Sequence, residues 1–244
     1  MNCSGVGNVT LLFIPLAAPS YVLPVFVLGY ILVAVVSYLL GSIPTGFLVA
    51  KARGVDIRSV GSGNIGATNV FRMLGKPAGI LVMIVDVLKG SVAVALAMWF
   101  IGPWFSGVHG NQANEWYGVC AGVAAILGHN FTCWLAFKGG KGIATSAGVL
   151  LALVPGSLLI ILAVWIVTLA LTRWVSLASI LASATLPFAA WMTGESFTMI
   201  LITGGLAVLA IYKHRTNIKR LLNGTEARIG SLKPTAFVEP DQHK

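Results

Sequence analysis

Long apolar blocks alternate with short, polar, glycine-rich ones along the chain. The apolar blocks run over roughly 22–48, 78–101, 117–137, 142–154, 156–172, 174–193 and 196–212. A helix of about twenty apolar residues crosses a hydrocarbon core of about 30 Å, so blocks of that length predict membrane helices. The stretch 142–172 permits two readings: one long helix, or two shorter ones hinged at Pro155-Gly156. Positive charge chooses between them, because cytoplasmic loops carry the excess of Lys and Arg. The loops at 51–76 and 138–141 and the segment from 213 onward hold nearly all of these residues, while 102–116 holds none. One crossing of 142–172 would leave the basic 213–228 segment outside. Two crossings place Arg173 inside, Glu195 outside and the basic tail inside. The pattern therefore predicts an all-α integral membrane protein. It has seven transmembrane helices, an external N-terminus, a cytoplasmic C-terminus and a short, tilted fourth helix.

This reading divides the chain into four parts. Residues 1–21 form an N-terminal extension, which lacks the positively charged start of an ordinary signal peptide. Residues 22–212 form the membrane domain, with every polar glycine-rich segment on its cytoplasmic face. Residues 213–230 continue as a basic surface segment, with Ile218, Leu221 and Leu222 on an apolar edge and a stop at Asn223-Gly224. Residues 231–244 read as a disordered tail.

Composition strengthens the membrane assignment. The chain is 57% hydrophobic and 9% charged, with a mean hydropathy of +0.89, against about 25% charged residues in a soluble domain. The first fifty residues contain no Asp, Glu, Lys or Arg. The net charge of +9 follows from the positive-inside pattern and from attraction to anionic lipids, so it argues only weakly for a phosphate substrate. Membrane lipids are expected partners and nucleic acid is not; the oligomeric state is left open. Cys3, Cys120 and Cys133 make no disulfide framework. No metal-ligand spacing appears, and no cofactor is expected.

Chemistry concentrates in two glycine-rich turns. GSGNIGATNV at 61–70 packs Ser62, Asn64, Thr68 and Asn69 among three glycines, before a helix starting at Ala67. Such a loop turns backbone N–H groups toward one point, and the helix start adds its own, making a nest for a phosphate or carboxylate. Arg58, Arg72 and Lys76 lie nearby, and Asn69 is placed to cap the helix. GSGNIG also matches the dinucleotide fingerprint, but a charged stretch precedes it instead of a buried strand. Gly75-Lys76 and Gly140-Lys141 do not fit a P-loop. The second turn, FKGGKGIATSAG at 137–148, adds Lys138 and Lys141 at another helix start.

Inside the membrane domain, Ser42-Ile43-Pro44 interrupts the first helix. Pro44 frees a carbonyl, and Ser42 either satisfies loosened backbone or faces the polar site. Asp86 and Lys89 share one helix face at i,i+3. They either neutralise each other, or Lys89 snorkels to the cytoplasmic mouth and contacts an anion; the second reading is favoured here. His129 and Asn130 end one helix, and His214 and Asn217 share a face on another, with roles the sequence leaves undecided. There is no nucleophile elbow and no histidine followed five residues later by Asp. The reaction should therefore use a substrate that carries its own leaving group.

GSIPTG at 41–46, DIRSVGSGNIGATNVFR at 56–72, DVLKG at 86–90, GHNFTCWLAFKGGKGIATSAG at 128–148 and YKHRTNIKRLLNGTE at 212–226 resemble the bacterial acyl-phosphate:glycerol-3-phosphate acyltransferase family (PlsY). The resemblance covers about 25–230. It implies a multi-pass enzyme of the bacterial inner membrane, with its site facing the cytoplasm. The reaction it implies moves a fatty acyl group from acyl phosphate to the 1-hydroxyl of glycerol 3-phosphate, giving lysophosphatidic acid and phosphate. The implied catalytic residues are Ser42, Arg58, Lys141, His214 and Asn217. The implied substrate-binding residues are Ser62, Gly63, Asn64, Gly66, Thr68 and Asn69 in the first loop, and Lys89. Gly139, Gly140 and Gly142 add to them from the second turn, and Ser176 and Ser179 from RWVSLAS. Glu226 is implied to be structural. A transporter for a phosphorylated solute is the alternative, but it would bind near the midplane and need a second access route.

Overall fold

The apolar blocks fold as helices, and several of the breaks fall at proline or glycine. The computed structural model describes residues 22–106 and 110–230. The N-terminal extension, the tail from 231 onward and His109 lie outside the described residues. Eleven α-helices are found among the described residues: α1 (Val22–Ser42), α2 (Thr45–Lys51), α3 (Ala67–Leu74), α4 (Lys76–Leu96), α5 (Gly102–Ser106), α6 (Gly110–Asn130), α7 (Ile143–Leu153), α8 (Pro155–Thr172), α9 (Val175–Met192), α10 (Phe197–Lys213) and α11 (Arg215–Leu222). A π-turn over Ala97–Ile101 joins α4 to α5.

The chain is an all-helical integral membrane protein. Five spans are long and apolar enough to cross: Val25–Lys51, Lys76–Phe105, Asn114–Leu135, Pro155–Thr172 and Val175–Met192. A sixth arises if α10 and α11, bent by 57°, count as one span. At 11 residues, α7 is about 16 Å long and falls short by length alone. The division of 142–172 into two helices is present: Val154 leaves helical geometry at φ −139° and Pro155 starts α8.

One boundary differs from the sequence reading. The block 117–137 leaves the α-helix at Asn130, with only a 3₁₀ turn over Cys133–Leu135. Thr132 explains the exit: its hydroxyl donates to the Ser42 carbonyl, while its own carbonyl accepts from the Phe137 amide. The helix expected from Ala67 and the one expected after Pro77 are both present, parted by Gly75 at φ +87°.

Small residues set the helix contacts. Gly148 of α7 lies on the Val87 carbonyl of α4, and Gly90 of α4 lies on the Thr145 carbonyl of α7. A Cβ at either would collide with backbone, so the two helices lock at their closest approach. A buried cluster of Ala50, Ile57, Ile65, Val70, Ala78 and Val82 fastens the first glycine loop to α2, α3 and α4. A second cluster (Val119, Leu150, Val154, Ile161, Leu186 and Met199, among others) fills the space between α6 and α7–α10.

Candidate active site

The first glycine loop is built around one side chain. Asn69 is 2% exposed; its Nδ2 donates to the carbonyls of Ile57, Val60 and Asn64 at 3.0–3.2 Å. Its Oδ1 accepts from the Ser62 amide at 2.9 Å. The sequence suggests a helix cap here, but the Asn69 side chain instead ties together the loop that precedes its own helix. Gly63, at φ +68°, makes the left-handed turn that a β-carbon would strain.

The second turn docks on the end of α6. The Gly139 and Gly140 amides donate to the carbonyls of Asn130 and His129. A Cβ on Gly140 would strike the His129 ring. Gly142, at φ +80°, precedes α7, and this geometry turns Lys141 inward. Its Nζ donates to Asn217 Oδ1. Asn217 Nδ2 donates to Glu226 Oε1 at 2.7 Å, and the Ser176 hydroxyl to the same oxygen at 2.8 Å. Arg220 Nε donates to Glu226 Oε2 at 2.6 Å. The His214 ring is 3% exposed, and its Nδ1 lies 2.8 Å from the Ala210 carbonyl. A carbonyl only accepts, so Nδ1 carries the proton and Nε2 of the neutral ring is left as an acceptor.

These groups surround a cavity of about 380 Å³. The first loop and α3 contribute Ser62, Asn64, Gly66, Thr68, Asn69 and Arg72 to its wall. The second turn contributes Lys141 and Gly142, α9 contributes Ser176 and Ser179, and the α10–α11 junction contributes His214 and Asn217. Farther in, the wall becomes apolar, with Leu150, Leu158, Ile161, Leu186 and Leu206. The mouth is cationic. Burial holds the Arg72 guanidinium below its ordinary value. Burial first, then neighbouring cations, lowers Lys141 to about 8 against the pull of Glu226. Hydrogen bonds from Arg220, Asn217 and Ser176 outweigh burial to lower the Glu226 carboxyl.

Six residues expected in the site are not on the cavity wall. Arg58 is half-exposed and bound to Asp56, with Nη2 2.8 Å from Oδ2, and its guanidinium covers the Phe47 ring at 4.9 Å. Ser42 is 1% exposed and joins α1 to α6 by donating to the Gly128 carbonyl. Lys89 is engaged below the mouth: Nζ is 2.7 Å from Asp86 Oδ1 and 3.0 Å from the Ile43 carbonyl, which also accepts from the Thr45 amide. Gly63, Gly139 and Gly140 shape their turns behind the wall. Conversely, Arg72, Asp86, His129 and Glu226 do line the cavity. For Arg72 a signal was available, since helical spacing puts it on the face of Thr68 and Asn69. Glu226 gave none, because it follows a helix stop in an apparently simple basic tail.

The glycerol-3-phosphate acyltransferase family model matches residues 31–224. A curated glycerol-3-phosphate acyltransferase from Geotalea daltonii is 48% identical over 190 residues, 78% of this chain and 92% of that protein. The chain belongs to the glycerol-3-phosphate acyltransferase family. A further member, from Endomicrobium trichonymphae, is 46% identical over 83% of this chain and 97% of its own length. Crystal structures of PlsY (YgiH), an integral membrane glycerol 3-phosphate acyltransferase, superpose on this acyltransferase with a TM-score of 0.74 in the glycerol 3-phosphate form and 0.71 in the lysophosphatidic acid form. They are 39% and 38% identical and cover 82% of this chain, and 96% and 95% of their own. The chain is thus a glycerol-3-phosphate acyltransferase of the PlsY type. Its cavity has a cationic mouth and an apolar interior.

Proposed function

We propose that the acyl donor is acyl phosphate, that the acceptor is the 1-hydroxyl of glycerol 3-phosphate, and that the reaction runs at the cytoplasmic face. The observation that carries this reading is the excess of cations at the mouth. Arg72, Lys141 and Arg220 gather around the Glu226 carboxylate, beside a loop of inward-facing polar groups, while Asp86 deeper in the same cavity has its own lysine. An anionic phosphate restores the balance, and the apolar interior takes a fatty chain.

In the proposed reaction the hydroxyl oxygen attacks the acyl carbonyl carbon, the carbon–oxygen bond to phosphate breaks, and phosphate leaves with the electron pair. A mixed anhydride has a good leaving group, so a phosphate oxygen of the substrate can take the hydroxyl proton. Lys141 and Arg72 stabilise charge as it grows on the departing phosphate. His214 Nε2, the free acceptor of its ring, orients the attacking hydroxyl. Asn217, fixed between Lys141 and Glu226, holds the lysine in register. Placing both substrates in one cavity supplies much of the remaining rate.

The reading includes seven crossings, with the mouth in the cytoplasm. The turns at 62–72, 138–142 and 173–176 and the segment 214–229 all meet at one mouth, and Ile229 exchanges backbone and side-chain hydrogen bonds with Arg173. That convergence supports α7 and α8 leaving and returning as a pair, and α9 and α10 likewise. The basic character of these turns puts the mouth inside.

The test is phosphate release and lysophosphatidic acid formation by detergent-purified enzyme, from acyl phosphate with glycerol 3-phosphate. Equal rates with acyl-coenzyme A would overturn the choice of donor. Labelling of Arg173→Cys from outside by an impermeant thiol reagent, with none at Glu195→Cys, would overturn the topology.

A further inference from the structure

Beyond α11 the chain turns back over the mouth. Gly224, at φ +70°, makes the reversal, and the Thr225 amide donates to the Arg220 carbonyl at 2.8 Å. Residues 225–230 then lie as a strap between α3 and the α8–α9 turn. Two successive carbonyls of the strap are taken by different elements. Trp174 Nε1, just before α9, donates to that of Glu226 at 3.1 Å, and Arg72 Nη2, on α3, to that of Ala227 at 2.9 Å. Farther on, the Ile229 amide donates to the Arg173 carbonyl at 2.8 Å, and Arg173 Nη2 donates to the Ile229 carbonyl at 3.2 Å.

The strap meets both cations of the mouth. Arg72 lines the cavity, and its Nε has no hydrogen-bond partner among the described residues. The strap thus fixes one end of the guanidinium and leaves donors for an anion. Glu226 is 8% exposed; its carboxylate accepts from Asn217, and Asn217 accepts from Lys141. The Glu226 carbonyl and the Ala227 amide belong to one planar peptide unit, so a donor on that carbonyl sets the orientation of the link between the two residues. Trp174 supplies this donor, and an indole N–H can only donate. Its half-buried ring lies under the Arg228 guanidinium, 4.8 Å away.

We propose that Trp174 is a positioning residue for the acyl transfer: its indole N–H pins the strap and, through it, aligns Arg72 and Lys141 on one phosphate. The inference rests on the reading that these two cations hold the substrate phosphate at the mouth. Without the Trp174 bond the Glu226 peptide can rotate, which moves the Glu226 carboxylate and the Ala227 carbonyl together. Arg72 and the Asn217–Lys141 pair then lose their common reference. A shift of about 1 Å in such a group costs up to about 100-fold in rate.

The experiment measures kcat/KM with acyl phosphate as donor, and inhibition by inorganic phosphate, in the purified full-length enzyme. Trp174→Phe keeps a ring under Arg228 and removes the N–H. It should lower kcat/KM and weaken phosphate inhibition, each by roughly three- to tenfold, the effect of one neutral hydrogen bond. Phosphate inhibition is an affinity, so loss of folded enzyme alone does not change it. Thr225→Val removes a hydroxyl that reaches only the Arg220 carbonyl and spares the Trp174 bond, so both values should stay at wild type. In the Arg72→Ala background Trp174→Phe should cost less than it does alone, because the strap then aligns one cation instead of two. Equal cost in both backgrounds overturns the proposal, and so does a Thr225→Val variant that matches Trp174→Phe. Weaker phosphate inhibition in Arg72→Ala beside wild-type inhibition in Trp174→Phe overturns this proposal alone. Wild-type inhibition in Arg72→Ala overturns the reading of the mouth, and the proposal with it.

Discussion

Two buried carboxylates in this molecule are answered in different ways. Asp86, at membrane depth on α4, meets one lysine, one hydroxyl and a histidine: Lys89 Nζ at 2.7 Å, Thr45 Oγ1 at 3.1 Å and His129 Nδ1 at 3.8 Å. Lys89 spends its second bond on the Ile43 carbonyl, so charge and hydrogen-bonding capacity close on themselves. Glu226, at the polar mouth, holds Arg220 directly and has Lys141 and Arg72 beside it on the cavity wall. A cation paired one-to-one is part of the scaffold. Cations in excess over their local carboxylates are available to an anionic substrate. The contrast separates fold from function more sharply than residue type does, since both clusters set a basic side chain against a buried carboxylate.

The largest effect should come from opening the closed cluster. Lys89→Met leaves the Asp86 carboxylate buried and unpaired, which costs about 3–5 kcal/mol of stability. Replacing the whole pair, Asp86→Leu with Lys89→Met, should recover most of that loss and most of the turnover. The remaining deficit is the lost Lys89 bond to the Ile43 carbonyl, at about 1 kcal/mol, since that carbonyl keeps the Thr45 amide as a donor. Thermal unfolding in detergent and steady-state turnover on all three variants measure this directly. A double variant that folds well but turns over poorly would place Lys89 on the substrate and erase the distinction.

Next in size is the open cluster. Arg72→Ala should fold normally and lose a charge-assisted contact to phosphate, about 1.5–3 kcal/mol. Each 1.36 kcal/mol is tenfold, so kcat/KM should fall by roughly tenfold to 150-fold. Inhibition by inorganic phosphate should weaken in parallel. Wild-type kinetics in folded Arg72→Ala would mean that the mouth does not bind phosphate through α3.

How much of this contrast was legible in the sequence depends on how local each signal is. The helix break at Pro44, the hinge at Pro155, the start of α3 at Ala67 and the stop at Gly224 are local backbone constraints, and the structure places each where the residues require. The convergence of the polar loops on one face followed from charge patterning, because topology is fixed by a few Lys and Arg. Which cation stays free was not legible. Arg58 lies closer to the glycine loop in sequence than its fate suggests, and only the turn that brings Asp56 under it decides the matter. Glu226 becomes a hub because the chain after α11 folds back onto α9: Trp174 Nε1 donates to the Glu226 carbonyl, and Arg72 Nη2 to that of Ala227. Contacts 52 and 155 residues apart leave no trace in local periodicity.

A smaller effect tests the electrostatics of the mouth through pH. Lys141 is lowered to about 8, chiefly by burial, so its charge is present below that pH and fades above it. The substrate phosphate is already ionised there, its second pKa being about 6. The free-enzyme profile of kcat/KM should therefore turn down above about pH 8, at the limit by about tenfold per pH unit, with the rise falling in KM. Lys141→Arg keeps its charge and should abolish the downturn, at some cost in rate from altered geometry. The stability change has the opposite sign. The unfolded lysine binds its proton more tightly than the folded one, so stability rises between about pH 8 and the ordinary lysine value. A profile flat to pH 10 in wild-type enzyme would remove Lys141 from phosphate binding.

The smallest expected effect is the most exacting test of the contrast, because it concerns two arginines flanking one loop. Arg58 is committed to Asp56 by three hydrogen bonds, from its own amide and from Nε and Nη2. These bonds hold the Asp56 carboxyl at about 2. The pair stands in solvent on the side of the loop facing Phe47, where it shapes the turn without reaching the cavity. Arg58→Ala should therefore leave kcat/KM and its dependence on both substrates as in wild type, while Arg72→Ala in the same assay loses at least an order of magnitude. Asp56→Asn should be equally silent, since no charge at the mouth changes. If Arg58→Ala instead matched Arg72→Ala, and Asp56→Asn raised affinity by releasing Arg58, the loop would have to open on substrate binding. The excess charge at the mouth would then include a cation that the resting fold keeps paired.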